Sequence, residues 1–200
     1  SGKDGLIAVS LPSFAEYQQE RAWTWEHMAL TRARPVYGSA DGRASLQRIV
    51  DGILLVPRDP AVVTADAAKM RAEMAAHKPA SGRYDIKLGD GGLVDLEFAV
   101  QVLQLRHKVG LHPQLDRAVA ELAAEGLIPA AIEEAHRLLT RMLVTFRLVS
   151  PASDTPPEAT RPLVARACGL PDWESLLAAH DEARHSIFEL WRDVAADKGD

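Results

Sequence analysis

The chain has 200 residues, 47% of them hydrophobic, enough for one large domain that buries about 70% of its unfolded surface. Its net charge of -5 comes from 23 basic and 28 acidic residues mixed along the sequence, which leaves no long basic face for a nucleic acid backbone. One cysteine, Cys168, excludes an intrachain disulfide, and neither a leader pattern nor an apolar run of membrane-spanning length is present, so a soluble, cytoplasmic protein is expected.

Ser1-Gly2-Lys3, with no methionine, reads as the start of a piece of a longer protein. Leu6-Ile7-Ala8-Val9-Ser10, ahead of Pro12 and Ser13, suits a short strand remnant that leads into a helix. Residues 1-12 therefore read as a linker or the end of another domain, and residues 13-200 as a helical bundle. The first long helix is expected from Ser13 to Arg34, with Pro35 stopping it because the residue before a proline disfavours helical geometry. At about 100° per residue, Phe14, Tyr17, Trp25, Met28 and Arg32 share one face while Trp23, His27, Leu30 and Arg34 share nearly the opposite one. That helix would contact neighbours on both sides.

Further helices are expected near Asp41 to Leu55, Pro60 to His77, Gly91 to Lys108, Gln114 to Ala124, Pro129 to Val149, Glu158 to Cys168 and Asp172 to Ala196. Apolar spacing, early prolines and the glycines at Gly110, Gly126 and Gly169 set those limits. Pro79 to Asp90 and the polar Ser150 to Pro157 read as long connections, and no hairpin signal, repeat or low-complexity block is found. The fold class is all-α, a multi-helix bundle.

The run Asp85-Ile86-Lys87-Leu88-Gly89-Asp90-Gly91-Gly92 sets a lysine and a glycine-rich turn directly before an apolar helix. A helix N-terminus with open N–H groups favours anions, and Gly91 and Gly92 allow close backbone approach while the Lys87 ammonium neutralises phosphate oxygens. An ordinary glycine turn with a solvated lysine fits the same residues, and the spacing matches neither the Walker A nor the dinucleotide fingerprint. On the helix that follows, Glu97, Gln101, Gln104 and Lys108 form a narrow polar stripe. Asp95 instead projects among Phe98, Ala99 and Val102, where it needs an arginine or backbone N–H groups; Arg32 or Arg34 could be that partner. It serves as a cap or structural ion pair, or it acts directly at a substrate.

Asp95-Leu96-Glu97 is not read as a metal pair, because residues two apart lie about 200° apart on a helix. The seven histidines include no paired-ligand spacing, so no metal site is expected. His180-Asp181 resembles the dipeptide of metal phosphohydrolases but lacks their further ligands. Cys168, Trp173, Phe188 and Trp191 read as packing residues.

Two long stretches carry a resemblance. Trp23-Thr24-Trp25-Glu26-His27-Met28-Ala29-Leu30-Thr31-Arg32-Ala33-Arg34 and Tyr84-Asp85-Ile86-Lys87 with Gly91-Gly92-Leu93-Val94-Asp95-Leu96-Glu97-Phe98 resemble signatures of the glutamate-ammonia-ligase (glutamine synthetase) adenylyltransferase / adenylyl-removing enzyme family. The resemblance extends through Trp191 and looks like the helical domain that follows the C-terminal, adenylylating nucleotidyltransferase palm, with residues 1-12 as the end of that palm. It implies a bifunctional parent enzyme of nitrogen regulation that transfers AMP from ATP to a tyrosine of glutamine synthetase and reverses this by phosphorolysis.

By the same resemblance, ATP and Mg2+ serve the parent, its palm aspartates lie before Ser1, and the chain alone binds neither and transfers no AMP. The implied partners are glutamine synthetase, a PII-type signal protein and the palm, with no nucleic acid and no membrane. Lys87, Arg32 and Arg34, with Gly91 and Gly92, are the candidates for facing the nucleotide cleft. Glu26, Asp95 and Glu97 are candidates for orienting partners or a structural ion pair. The rival expectation is a regulatory module whose helical surface binds the PII-type protein or glutamine synthetase.

Overall fold

Side-chain oxygens of Ser10, Ser39, Asp59 and Asp172 accept hydrogen bonds from the first-turn N–H groups of four helices, and Pro12, Pro60 and Pro162 occupy early positions where no donor is lost. The computed structural model describes residues 8–150 and 155–197. These contain α1 (Leu11–Glu20), α2 (Thr24–Leu30), α3 (Ala40–Leu54), α4 (Pro60–His77), α5 (Leu93–His107), α6 (Leu115–Ala124), α7 (Ala131–Val149), α8 (Arg161–Ala167) and α9 (Trp173–Ala196). A 3-10 turn over Glu158–Thr160 precedes α8, and no strand occurs among the described residues. The chain is all-α, as its pattern predicts. Leu6 and Ile7 of the expected strand remnant lie outside the described residues, and residues 8–10 form a bend and irregular chain.

One expectation fails at the start of the bundle. The single helix from Ser13 to Arg34 is two helices broken at Arg21, Ala22 and Trp23. Glu26 reaches back to accept the Trp23 N–H at 3.0 Å and also takes the Tyr17 hydroxyl at 2.8 Å, while His27 Nε2 donates to Gln18 O at 2.9 Å. These bonds restart the helix at Thr24 and fold it back against α1. The opposed faces assigned across one continuous helix therefore do not exist: Met28 and Leu30 are both buried, and Trp23 and Trp25 are both exposed. The chain beyond α2 tightens into i to i-3 bonds, Arg32 N to Ala29 O and Ala33 N to Leu30 O, before it reaches Pro35.

Helix α5 is the centre of the molecule, with 11 of its 15 residues buried. Helix α9 lies along it, joined by Phe98 and Trp191 with ring centroids 5.8 Å apart, and α7 packs along α9 and also touches α5. Helices α4 and α2 cover α5 from another side, α6 packs on α5 and α7, α8 lies across α7 and α9, and α1 rests on α3. Leu96, Leu105, Leu122, Leu139, Met142, Leu176 and Ile187 are fully buried in one continuous core, where truncating one of them to alanine costs about 2–5 kcal/mol. The polar stripe expected along α5 is only partly at the surface. Gln104 is buried and donates to Gly110 O, closing the end of the helix.

Candidate functional site

The segment from Ser81 to Gly92 is a chain of tight turns built around Asp85. Its carboxylate accepts from Ser81 N (3.0 Å), the Ser81 hydroxyl (3.1 Å), Lys87 N (3.2 Å) and Leu88 N (2.9 Å). Partial burial disfavours the ionised carboxyl, but these hydrogen bonds outweigh it and hold Asp85 below the ordinary carboxylate range. Helix α9 fastens the segment from outside. Arg184 donates to Asp90 O from Nε at 2.8 Å and from Nη2 at 2.6 Å, and to Arg83 O from Nη1 at 3.0 Å, while Arg83 pairs with Asp181 at 3.0 Å.

The start of α5 corrects the expectation of open donors. Leu93 N is bound to Ile86 O at 3.0 Å, Val94 N to Lys87 O at 3.1 Å, and Gly91 N to Asp95 Oδ2 at 2.6 Å. Gly91 and Gly92 serve close approach, but of protein to protein. A Cβ on Gly91, whose φ is +69°, would lie 2.0 Å from Arg184 O, and one on Gly92 would lie 2.7 Å from Gly89 O. These N–H groups and glycines hold the turn against α9 and do not present a cradle to solvent.

Asp95 is 2% exposed, and its partner is Arg71 of α4, whose Nε lies 2.5 Å from Oδ1. Neither Arg32 nor Arg34 reaches it. Arg32 pairs instead with Glu97 at 3.1 Å, and Arg34 is exposed. Asp95 and Glu97 thus face different partners on one helix, as the helical spacing required, and they do not fit a shared Mg2+. No group of three or more metal-ligating side chains converges among the described residues. Glu26 belongs to the α1/α2 corner, bound to Tyr17 and the Trp23 N–H. His180 is fully buried with Nδ1 3.1 Å from Asp181 Oδ1, and burial pushes its pKa down. Lys87 is exposed at the rim of a cleft of about 390 Å³ between the turn segment and α7.

Sequence reasoning missed Arg71, Arg184 and Arg83. Arg71 had a readable signal, since it follows Val63 and Ala67 at four-residue steps on the face of α4 that meets α5. Arg184 had none, because it acts through carbonyls about a hundred residues away.

Comparison with known proteins places these elements in context. A glutamate-ammonia ligase adenylyltransferase family model matches residues 1–49, and a GlnD PII-uridylyltransferase family model matches residues 65–195. A bifunctional glutamine synthetase adenylyltransferase/adenylyl-removing enzyme of Brucella suis is 37% identical over 205 residues, covering 98% of this chain and 20% of the relative. Similar enzymes of Xanthobacter autotrophicus (36% over 212 residues, 98% of this chain, 21% of the relative) and a Bradyrhizobium strain (37% over 205 residues, 97% and 21%) align in the same way. The chain spans about a fifth of the length of these relatives.

Proposed function

Because the chain belongs to the glutamate-ammonia ligase adenylyltransferase family, we propose that it is the helical domain following the C-terminal nucleotidyltransferase palm of an enzyme that adenylylates and deadenylylates glutamine synthetase. One observation supports this reading above the others. The segments matched by the two family models share a single core, and Arg32 of the first is bound to Glu97 of the second at 3.1 Å. The proposed helical domain thus includes helices from both matched segments, in line with relatives that align over nearly the whole chain.

In this reading residues 1-12 end the palm, residues 13-200 form the helical domain, and the longer protein supplies the aspartates that hold Mg2+ and position ATP. The carboxylates described here are committed to Arg71, Arg32 and backbone N–H groups, so no catalytic step is assigned to them. The domain walls the nucleotide cleft, with Lys87, Arg32 and Arg34 facing it, and works in the cytoplasm. No helix of the described residues is long and apolar enough to cross a membrane.

The test uses the full-length protein. Lys87→Ala raises the ATP requirement or slows AMP transfer to glutamine synthetase by about tenfold, while Tm is unchanged. Normal transfer with a lowered Tm assigns Lys87 to scaffolding. A second reading, a docking module for a PII-type signal protein or for glutamine synthetase, draws on the exposure of Trp23, Trp25, Val36 and Tyr37 on α2 and the chain on either side of it. Saturable binding of either partner to this chain, abolished by Trp23→Ser, selects that reading.

A further inference from the structure

The cleft beside Lys87 is walled by the turn segment on one side and α7 on the other, over a floor that includes Tyr84, Leu143 and the buried Phe146. Three cations line it: Lys78 at the end of α4, Lys87 in the turn, and Arg147 in the last turn of α7. None of the three forms an ion pair among the described residues. Among the described residues Asp85 is the one carboxylate in the lining, and its oxygens already accept four hydrogen bonds from its own turn. The described lining residues thus carry a formal excess of two positive charges around a concave space of about 390 Å³.

Several arginines elsewhere on the molecule are matched with carboxylates, as Arg32 is with Glu97, Arg71 with Asp95 and Arg83 with Asp181, and others bond backbone carbonyls, as Arg141 does Cys168 O and Arg184 does Asp90 O. Arg58, a further arginine without a carboxylate partner, directs its guanidinium to Ile53, Leu54 and Val56 carbonyls at the end of α3 and so acts as a cap. The cations of the cleft have no such internal use. The turn that carries Lys87 is also fixed in place, and Arg147 stands on helix α7: Arg184 holds both ends of the turn from α9, Arg71 Nη2 reaches Leu88 O at 3.4 Å, and Tyr84 is packed against Phe146 and Trp173 with ring centroids 6.1 Å away. A ligand thus meets cations carried on a rigid frame, which lowers the entropy cost of binding.

We propose that this cleft binds a phosphate dianion, either free or carried by a small organic molecule, through Lys78, Lys87 and Arg147. The charge excess matches a dianion, and Arg147 offers the planar fork that suits phosphate oxygens while the lysines act as point charges. This deepens the reading of Lys87 given above by naming its neighbours and its ligand chemistry, and it does not require AMP transfer to occur.

Inorganic phosphate, AMP and potassium chloride of matched ionic strength are titrated into the 200-residue chain, followed by NMR shifts of backbone amides. Phosphate or AMP is expected to give saturable shifts clustered on residues 78–88 and 143–150, while chloride does not. Phosphate alone identifies the free ion as ligand, and tighter AMP binding identifies the organic carrier. Lys87→Ala with Arg147→Gln is expected to weaken binding at least tenfold with helical content and Tm unchanged. If that double variant fails to fold, Lys78→Ala alone, at an exposed helix end, is expected to weaken it by a smaller factor. Shifts that never saturate, that spread over the whole surface, or that survive in the folded variants overturn the proposal. Because binding is read on the chain itself, loss of binding and loss of AMP transfer in the full-length enzyme are separate outcomes.

Discussion

Asp95 carries a charge into the packed centre of the molecule, and its two oxygens are answered by different elements: Arg71 of α4 on one side and the Gly91 N–H on the other. Removing one partner of such a pair leaves the other buried without compensation, so Asp95→Ala is expected to cost about 3–5 kcal/mol in urea unfolding. Replacing both, with Asp95→Leu and Arg71→Met, is expected to recover part of this. A deficit of about 1–3 kcal/mol remains, because the Gly91 N–H still lacks an acceptor. Full recovery in the double variant would show that the Gly91 bond contributes nothing.

Asp85 is held below its ordinary value of 3.8 by the turn's hydrogen bonds acting against partial burial. A carboxyl depressed in the folded state stabilises the protein above its unfolded pKa and loses that contribution as pH falls through the folded pKa. Asp85→Asn is therefore expected to flatten the decline of Tm below about pH 4 and to lower Tm at neutral pH. An unaltered acid limb would place the sensitivity elsewhere.

At the scale of elements, the two ends of α5 are closed by different devices. Its start is bound to turn carbonyls and fixed by glycines against α9, whereas its end places Lys108 at φ 61°, the one non-glycine residue with positive φ among those described. Lys108 Nζ donates back to Leu105 O, and burial together with nearby Arg58 lowers its pKa to about 8. The left-handed position favours glycine. Lys108→Gly is expected to raise stability by about 1 kcal/mol, measured as a shift of the denaturation midpoint with unchanged slope. A loss of stability would show that the lysine's bond to Leu105 outweighs the backbone strain.

At the scale of the whole molecule, what was legible in the sequence depended on whether the signal was local. Helix α4 matched its expected limits from Pro60 to His77, because Asp59 caps its start and apolar spacing runs through it. The division of the first helix was not legible. Gln18 to Ala22 contains no glycine or proline to stop a helix, and the break is made by Glu26 and His27 reaching back to α1 across nine residues. The candidate site shows the same limit. The burial of Asp95 followed from its place among Phe98, Ala99 and Val102, yet its partner came from a helix 24 residues away. Lys87 was readable as an exposed cation in a turn, whereas Arg147 beside it was not, since only the packing of α7 brings the two to one cleft.

The four tryptophans of the chain divide by environment: Trp23 is 71% exposed and Trp25 is also at the surface, while Trp173 and Trp191 are half-buried against aromatic neighbours. The molecule thus carries a built-in optical label at its α1/α2 corner. Dissolved iodide quenches that emission selectively, and any macromolecule settling over the corner shields it, so occupancy of this surface is readable by native fluorescence without an added dye.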